Sequence, residues 1–166
     1  MALTFTRLEY LNGTAYELCG RSQLIRVLHD LKSHFGLDLR LGIAFDFKLS
    51  KPSTQTIQHG LQEVTRQSIA PLENNLVANN SNSLMTVEDE LLEVSHILQV
   101  CGVTVSSYTK GTQSGQFRMT LKTEGEDSVR ATENYSIAKM TLKRYFQRKG
   151  VEVTYVPCEP DIVGSK

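Results

Sequence analysis

The clearest periodic signal in the chain is LDLRLGIAFDFKL, residues 37–49. Leu37, Leu39, Leu41, Ile43, Phe45, Phe47 and Leu49 alternate there with Asp38, Arg40, Gly42, Ala44, Asp46 and Lys48. A period of two over this length predicts a strand with one covered face and one wet face. Upstream, residues 3–11 and 14–19 flank Asn12-Gly13, which suits a tight type I′ hairpin turn. Ser22 is placed to cap a helix running to Phe35. Leu24, Ile25, Val27, Leu28, Leu31 and Phe35 form its stripe, and Gly36 stops it.

Downstream, Pro52 closes the strand, and Ile57, Leu61 and Val64 at helical spacing predict a helix over 53–68. The Asn- and Ser-rich run over 74–83 reads as an exposed linker. Thr86 opens a capping-box-like start to a helix that ends at Gly102. Val103, Val105 and Ser107 then alternate with Thr104, Ser106 and Tyr108 as a strand. The turn 109–115 returns the chain into QFRMTLKT, where Phe117, Met119 and Leu121 face one way and Arg118, Thr120 and Lys122 the other. Ser128 caps a helix to Lys149, Gly150 stops it, and VEVTYV closes the pattern over 151–156.

Two arrangements fit this order, both α+β. One is a ferredoxin-like βαββαβ domain. The other is a duplicated ββαβ sandwich, in which SHFG-LDLRL echoes QRKG-VEVTY. Either predicts a largely antiparallel sheet with helices mainly on one face. The expected organisation is a single domain over 1–166. It has an N-terminal ββαβ half over 1–52, a helical connector with the linker over 53–102, a C-terminal ββαβ half over 103–158 and a short tail over 159–166.

Composition narrows the class. With 40% hydrophobic and 22% charged residues, the chain is expected to fold rather than stay disordered. Eighteen basic and eighteen acidic side chains cancel, so net charge points to no polyanionic partner. The distribution is uneven, however. Residues 51–100 hold two basic and six acidic side chains, whereas 101–150 hold nine basic and four acidic. Cys19, Cys101 and Cys158 are odd in number and outside any CxxC pattern, which predicts free thiols in a reducing compartment. The N-terminus lacks the run of a signal peptide and no stretch is apolar enough to span a bilayer. The expectation is a cytoplasmic protein with no membrane contact.

Candidate chemistry is sparse. His29, His34, His59 and His96 have no metal-ligand spacing, and Asp38 and Asp46 are eight positions apart on one strand. No catalytic residue, metal set or cofactor motif is legible. The basic helix over 128–149 carries Lys139, Lys143, Arg144, Arg148 and Lys149, and the hairpin adds Lys110, Arg118 and Lys122. That set predicts a non-enzymatic binding protein that contacts nucleic acid or an acidic protein surface. The acidic residues Glu88, Asp89, Glu90 and Glu93 suit the N-terminus of their helix, and they could also attract the basic helix. An enzyme whose site is assembled only in the fold is a further alternative.

The segment LLEVSHILQVCGVTVSSYTKGTQSGQFRMTLKT, with its later helix, glycine and VEVTYV, resembles an ACT-type regulatory domain. The resemblance implies a small metabolite near the helix–strand turn at Gly102. An exposed sheet edge would further allow a two-fold dimer.

Overall fold

The computed structural model describes residues 4–59, 62–71, 85, 87–125 and 127–155, with 52–59 and 62–71 described by their backbone. The elements run α1 (Gly20–Phe35), β1 (Ile43–His59), β2 (Gln62–Pro71), α2 (Glu88–Val100), β3 (Val105–Lys110), β4 (Gln116–Leu121), α3 (Ser128–Arg148) and β5 (Glu152–Thr154). The α+β class is therefore observed. The chain divides into two compact units, one of residues 1–43 and 123–136 and one of residues 44–122 and 137–166.

The second unit holds the sheet. Its strands follow the order β2-β1-β4-β3, with β5 also paired to β1. The β1–β2, β1–β5 and β3–β4 pairings are antiparallel. Alternation places Phe45, Phe47 and Leu49 of β1 beside Phe117, Met119 and Leu121 of β4 on one face, all buried. Leu91, Val94 and Leu98 of α2 and Ala138, Leu142 and Phe146 of α3 are buried at helical spacing and complete this core. Each large side chain buried there contributes about 1.5–3 kcal/mol relative to exposure.

Both covering helices end by the same device. Gly102 and Gly150 adopt φ of 79° and 72°, conformations that cost an L side chain energy. The amide of Val103 then donates to the Leu98 carbonyl, and that of Val151 to the Phe146 carbonyl. These are Schellman closures in which a valine following the glycine folds back onto the last buried helical residue. Val103 and Val151 are themselves buried, so each helix stop is also a core contact.

Three sequence expectations are corrected here. The strand predicted over 37–49 begins only at Ile43, and Leu37 and Leu39 are exposed. Over 36–42 the backbone finds partners outside any ladder: the Leu37 amide donates to the Leu31 carbonyl and Ser128 Oγ donates to the Leu39 carbonyl. Next, Pro52 does not end the strand. The chain continues extended to His59 and returns as β2, with Pro52 in register with Ile69 and Ile57 with Val64. The predicted helix over 53–68 is absent because a run rich in Thr54, Thr56, Ile57, Val64 and Thr65 favours extended backbone once a partner strand is in register. The Asn/Ser-rich run, Thr86 and Cys158 lie outside the described residues. Finally, Tyr108 does not keep the face opposite Val103 and Val105 that the alternation predicts. An irregularity between Val105 and Ser107 shifts the β3 register and puts Tyr108 opposite the buried Met119. Its hydroxyl lies 3.2 Å from the Leu91 carbonyl of α2.

The first unit contains the turn at Asn12-Gly13, α1 and the opening of α3. The turn forms with a single Glu9–Ala15 bridge, and the Asn12 side chain accepts from the Thr14 amide at 3.0 Å. Helix α1 ends at Gly36 as the sequence predicts, yet none of its residues is buried. Its N-cap is Cys19, a buried free thiol whose Sγ accepts the Leu8 amide; that hydrogen bond and those from Ser22 lower its pKa to about 7. Ser128 is not the cap of α3: Asp127 takes the Arg130 amide at 2.7 Å instead. Arg21 and Glu133 form an ion pair between α1 and the first turns of α3.

Candidate functional site

The even positions of residues 44–48 and of β4 form the sheet face opposite the core. Asp46 lies there, 34% exposed, beside Arg118, 56% exposed. The Arg118 guanidinium donates from Nε to Asp46 Oδ1 at 2.6 Å and from Nη2 to Oδ2 at 3.2 Å. Gln116 Nε2 adds a third donor to Oδ2 at 3.1 Å. The amide of Gln116 is itself oriented, because its Oε1 accepts the Gln113 amide at 3.1 Å from the β3–β4 turn. The result is a charge-assisted, two-pronged clamp across neighbouring strands. The Asp46 hydrogen bond, reinforced by its charge, raises the Arg118 pKa, so the guanidinium is a fixed cation.

A second cluster joins the two covering helices. Tyr145 Oη donates to Glu93, and Lys149 Nζ lies 3.7 Å from Glu93, 3.9 Å from Glu90 and 4.8 Å from the Tyr145 ring centroid. The attraction expected between acidic and basic helices is thus present. The Tyr145 hydrogen bond, then the Lys149 charge, hold Glu93 below its ordinary pKa. The hydrogen bond with Tyr145 raises Lys149, and burial followed by the Glu93 hydrogen bond raises Tyr145. A depressed carboxyl stabilises the fold above its unfolded pKa and loses that contribution as pH falls. Raised Lys and Tyr groups lose theirs as pH climbs. The melting temperature is therefore expected to fall toward both acid and alkali, and Glu93→Gln should flatten the acid limb in a pH series of thermal melts.

The eight basic residues singled out in the sequence do not form one surface. Lys110 is 4% exposed; its ammonium donates to the Gln113 carbonyl and stands 5.7 Å from the Phe117 ring centroid. Arg118 is clamped by Asp46 and Lys149 is engaged with the acidic helix. Lys139 lies over the Tyr155 ring at 4.3 Å. Lys122, Lys143, Arg144 and Arg148 are exposed. Lys143 borders a shallow cavity of about 420 Å³ with Gln147 and the segment Gly150 to Val153. Within the first unit, His29, Lys32, Arg40 and Asp127 border another of about 480 Å³. Among the described residues, no helix is long and apolar enough to cross a membrane.

The residues that sequence reasoning missed are Asp46 and Gln116. In the sequence Asp46 stands nearest to the carboxylate of Asp38, whereas its partner Arg118 lies 72 positions away. The one available signal was parity: Asp46, Gln116 and Arg118 all occupy the wet phase of their strands.

A sheet backed by two helices, with a polar, charge-bearing open face, defines the class of protein. The glutamine synthetase catalytic-domain family matches residues 17–161, and the chain belongs to that family. The fold agrees with a glutamine synthetase of Plasmodium falciparum at a TM-score of 0.68 and 15% identity, over 91% of this chain and 33% of that one. A GmaS/ADP complex matches at 0.66 and 19%, over 88% and 31%. A glutamine synthase homologue matches at 0.61 and 15%, over 89% and 30%. The chain thus spans about a third of the length of these structures. No curated protein sequence matches it. Membership of a catalytic-domain family overturns the reading of the chain as a non-enzymatic regulator that binds nucleic acid or an acidic protein.

Proposed function

We propose that the chain takes part in amide-bond synthesis of the glutamine synthetase type, with a site assembled only in the fold. The carrying observation is the family match over 17–161, nearly the whole chain. Joining a carboxylate to an amine in water runs uphill unless the carboxylate is activated, and a related structure holds ADP. Such chemistry handles anions at every stage, as carboxylate and as phosphate. Arg118, set in place by Asp46 and Gln116, is the element of this chain suited to receive one. The strand order, with β5 and β4 paired to β1 and β3 beyond β4, supports reading the sheet as a ferredoxin-like core carrying the extra strand β2.

The test is thermal unfolding of the full chain with ADP, L-glutamate and L-glutamine, singly and together. A ligand at one hundred times its Kd adds about 2.7 kcal/mol, a rise of roughly 5–11 °C for a chain of this size. Melting curves unmoved by all three would sink the proposal.

A further inference from the structure

Phosphates handled by nucleotide-dependent enzymes usually travel with Mg²⁺, which the protein holds through one or two carboxylates at about 2.0–2.1 Å. The open sheet face is the natural place to look for such carboxylates in a fold whose other face is covered by helices. On the described side chains of β1, β3, β4 and β5 the only acids are Asp46 and Glu152. Glu152 is in register with Ser50, four residues along β1 from Asp46 and thus about 13 Å away. Two carboxylates that far apart cannot share one ion.

Asp46 by itself is also preoccupied. Both of its oxygens accept from the Arg118 guanidinium, and Oδ2 accepts from Gln116 as well. A divalent ion would have to displace the guanidinium and then sit beside a cation. Among the described residues no group of three or more His, Cys, Asp and Glu is placed to hold a metal ion. Among the described residues, those on this face do not fit a divalent cation.

We infer that the Asp46–Arg118–Gln116 clamp makes the part of the open sheet face around Asp46 cation-excluding, a guanidinium there supplying the positive charge that an acid pair and its Mg²⁺ would otherwise supply. Arg118 is the excluding group and Asp46 its positioning residue. The inference rests on the family reading for its relevance to nucleotides, but its test does not use a nucleotide.

The experiment is Mn²⁺ titration of the full chain by electron paramagnetic resonance, in which bound ion is lost from the free-ion signal. The wild-type chain is expected to leave that signal unchanged. Arg118→Glu removes the guanidinium and sets a second carboxylate across from Asp46, so it should quench the signal, and adding Asp46→Asn should restore it. Wild-type binding abolished by Asp46→Asn alone would overturn the inference. A folded Arg118→Glu chain that binds no Mn²⁺ would overturn it equally. Should that variant fail to fold, wild type against Asp46→Asn decides the matter. A flat thermal screen with ADP, glutamate and glutamine would instead count against the functional proposal and leave the Mn²⁺ result standing.

Discussion

Phe117→Ala is expected to destabilise the sheet-bearing unit by about 3–5 kcal/mol. Phe117 is fully buried, its ring centroid 5.9 Å from that of Phe47 at a tilted angle that suits aromatic pairs. Truncation removes the transfer energy of a ring and leaves a cavity beneath a tied hairpin, which limits relaxation. The Gly111 amide bonded to the Gln116 carbonyl at 2.8 Å holds the strand ends together. It also strips the Lys110 ammonium of the ring beneath it. A loss of this size is a large fraction of the roughly 5–15 kcal/mol of a typical domain. Urea denaturation should show a lower midpoint with an unchanged slope. A midpoint within error of wild type would mean that Phe117 is not in the core.

Lys110→Glu should be comparably damaging, at about 3–5 kcal/mol. The substitution replaces an ammonium satisfied by a carbonyl and a π face with a carboxylate that faces both, and the site offers almost no water. Lys122→Glu, on the same hairpin but exposed, should stay within about 0.5 kcal/mol. The pair of denaturation curves separates the structural role of Lys110 from a surface role. Equal, small effects would refute the buried placement.

Much of the architecture follows from local rules that a single sequence displays. The helix ends at Gly36, Gly102 and Gly150, and the alternation of Phe45, Phe47, Leu49, Phe117, Met119 and Leu121, were all readable because each depends on a handful of adjacent residues. What failed depends on partners far along the chain. Residues 53–68 mimic helical spacing through three apolar positions, and only the pairing with β2 makes them a strand. Tyr108 was assigned to the wrong face because one register irregularity inverts the phase of everything after it. The cationic set misled for a related reason. Charge is visible in a sequence, whereas burial of Lys110 or capture of Lys149 by Glu93 is not. The clamp of Asp46 by Arg118 required knowing that β1 and β4 are neighbours, and the similar solved structures share only 15–19% of their residues with this chain.

The parity of residues 43–49 and of β4 has a consequence for how such a chain evolves. Odd positions carry the apolar residues that hold the helices, and even positions carry Asp46, Gln116 and Arg118. Substitutions at these exposed or half-exposed even positions leave the volumes beneath the helices untouched, so their effect on stability is small. Selection can therefore rewrite the chemistry of the open face by single replacements while the scaffold persists. A lineage could gain or shed an ion there without passing through an unfolded ancestor.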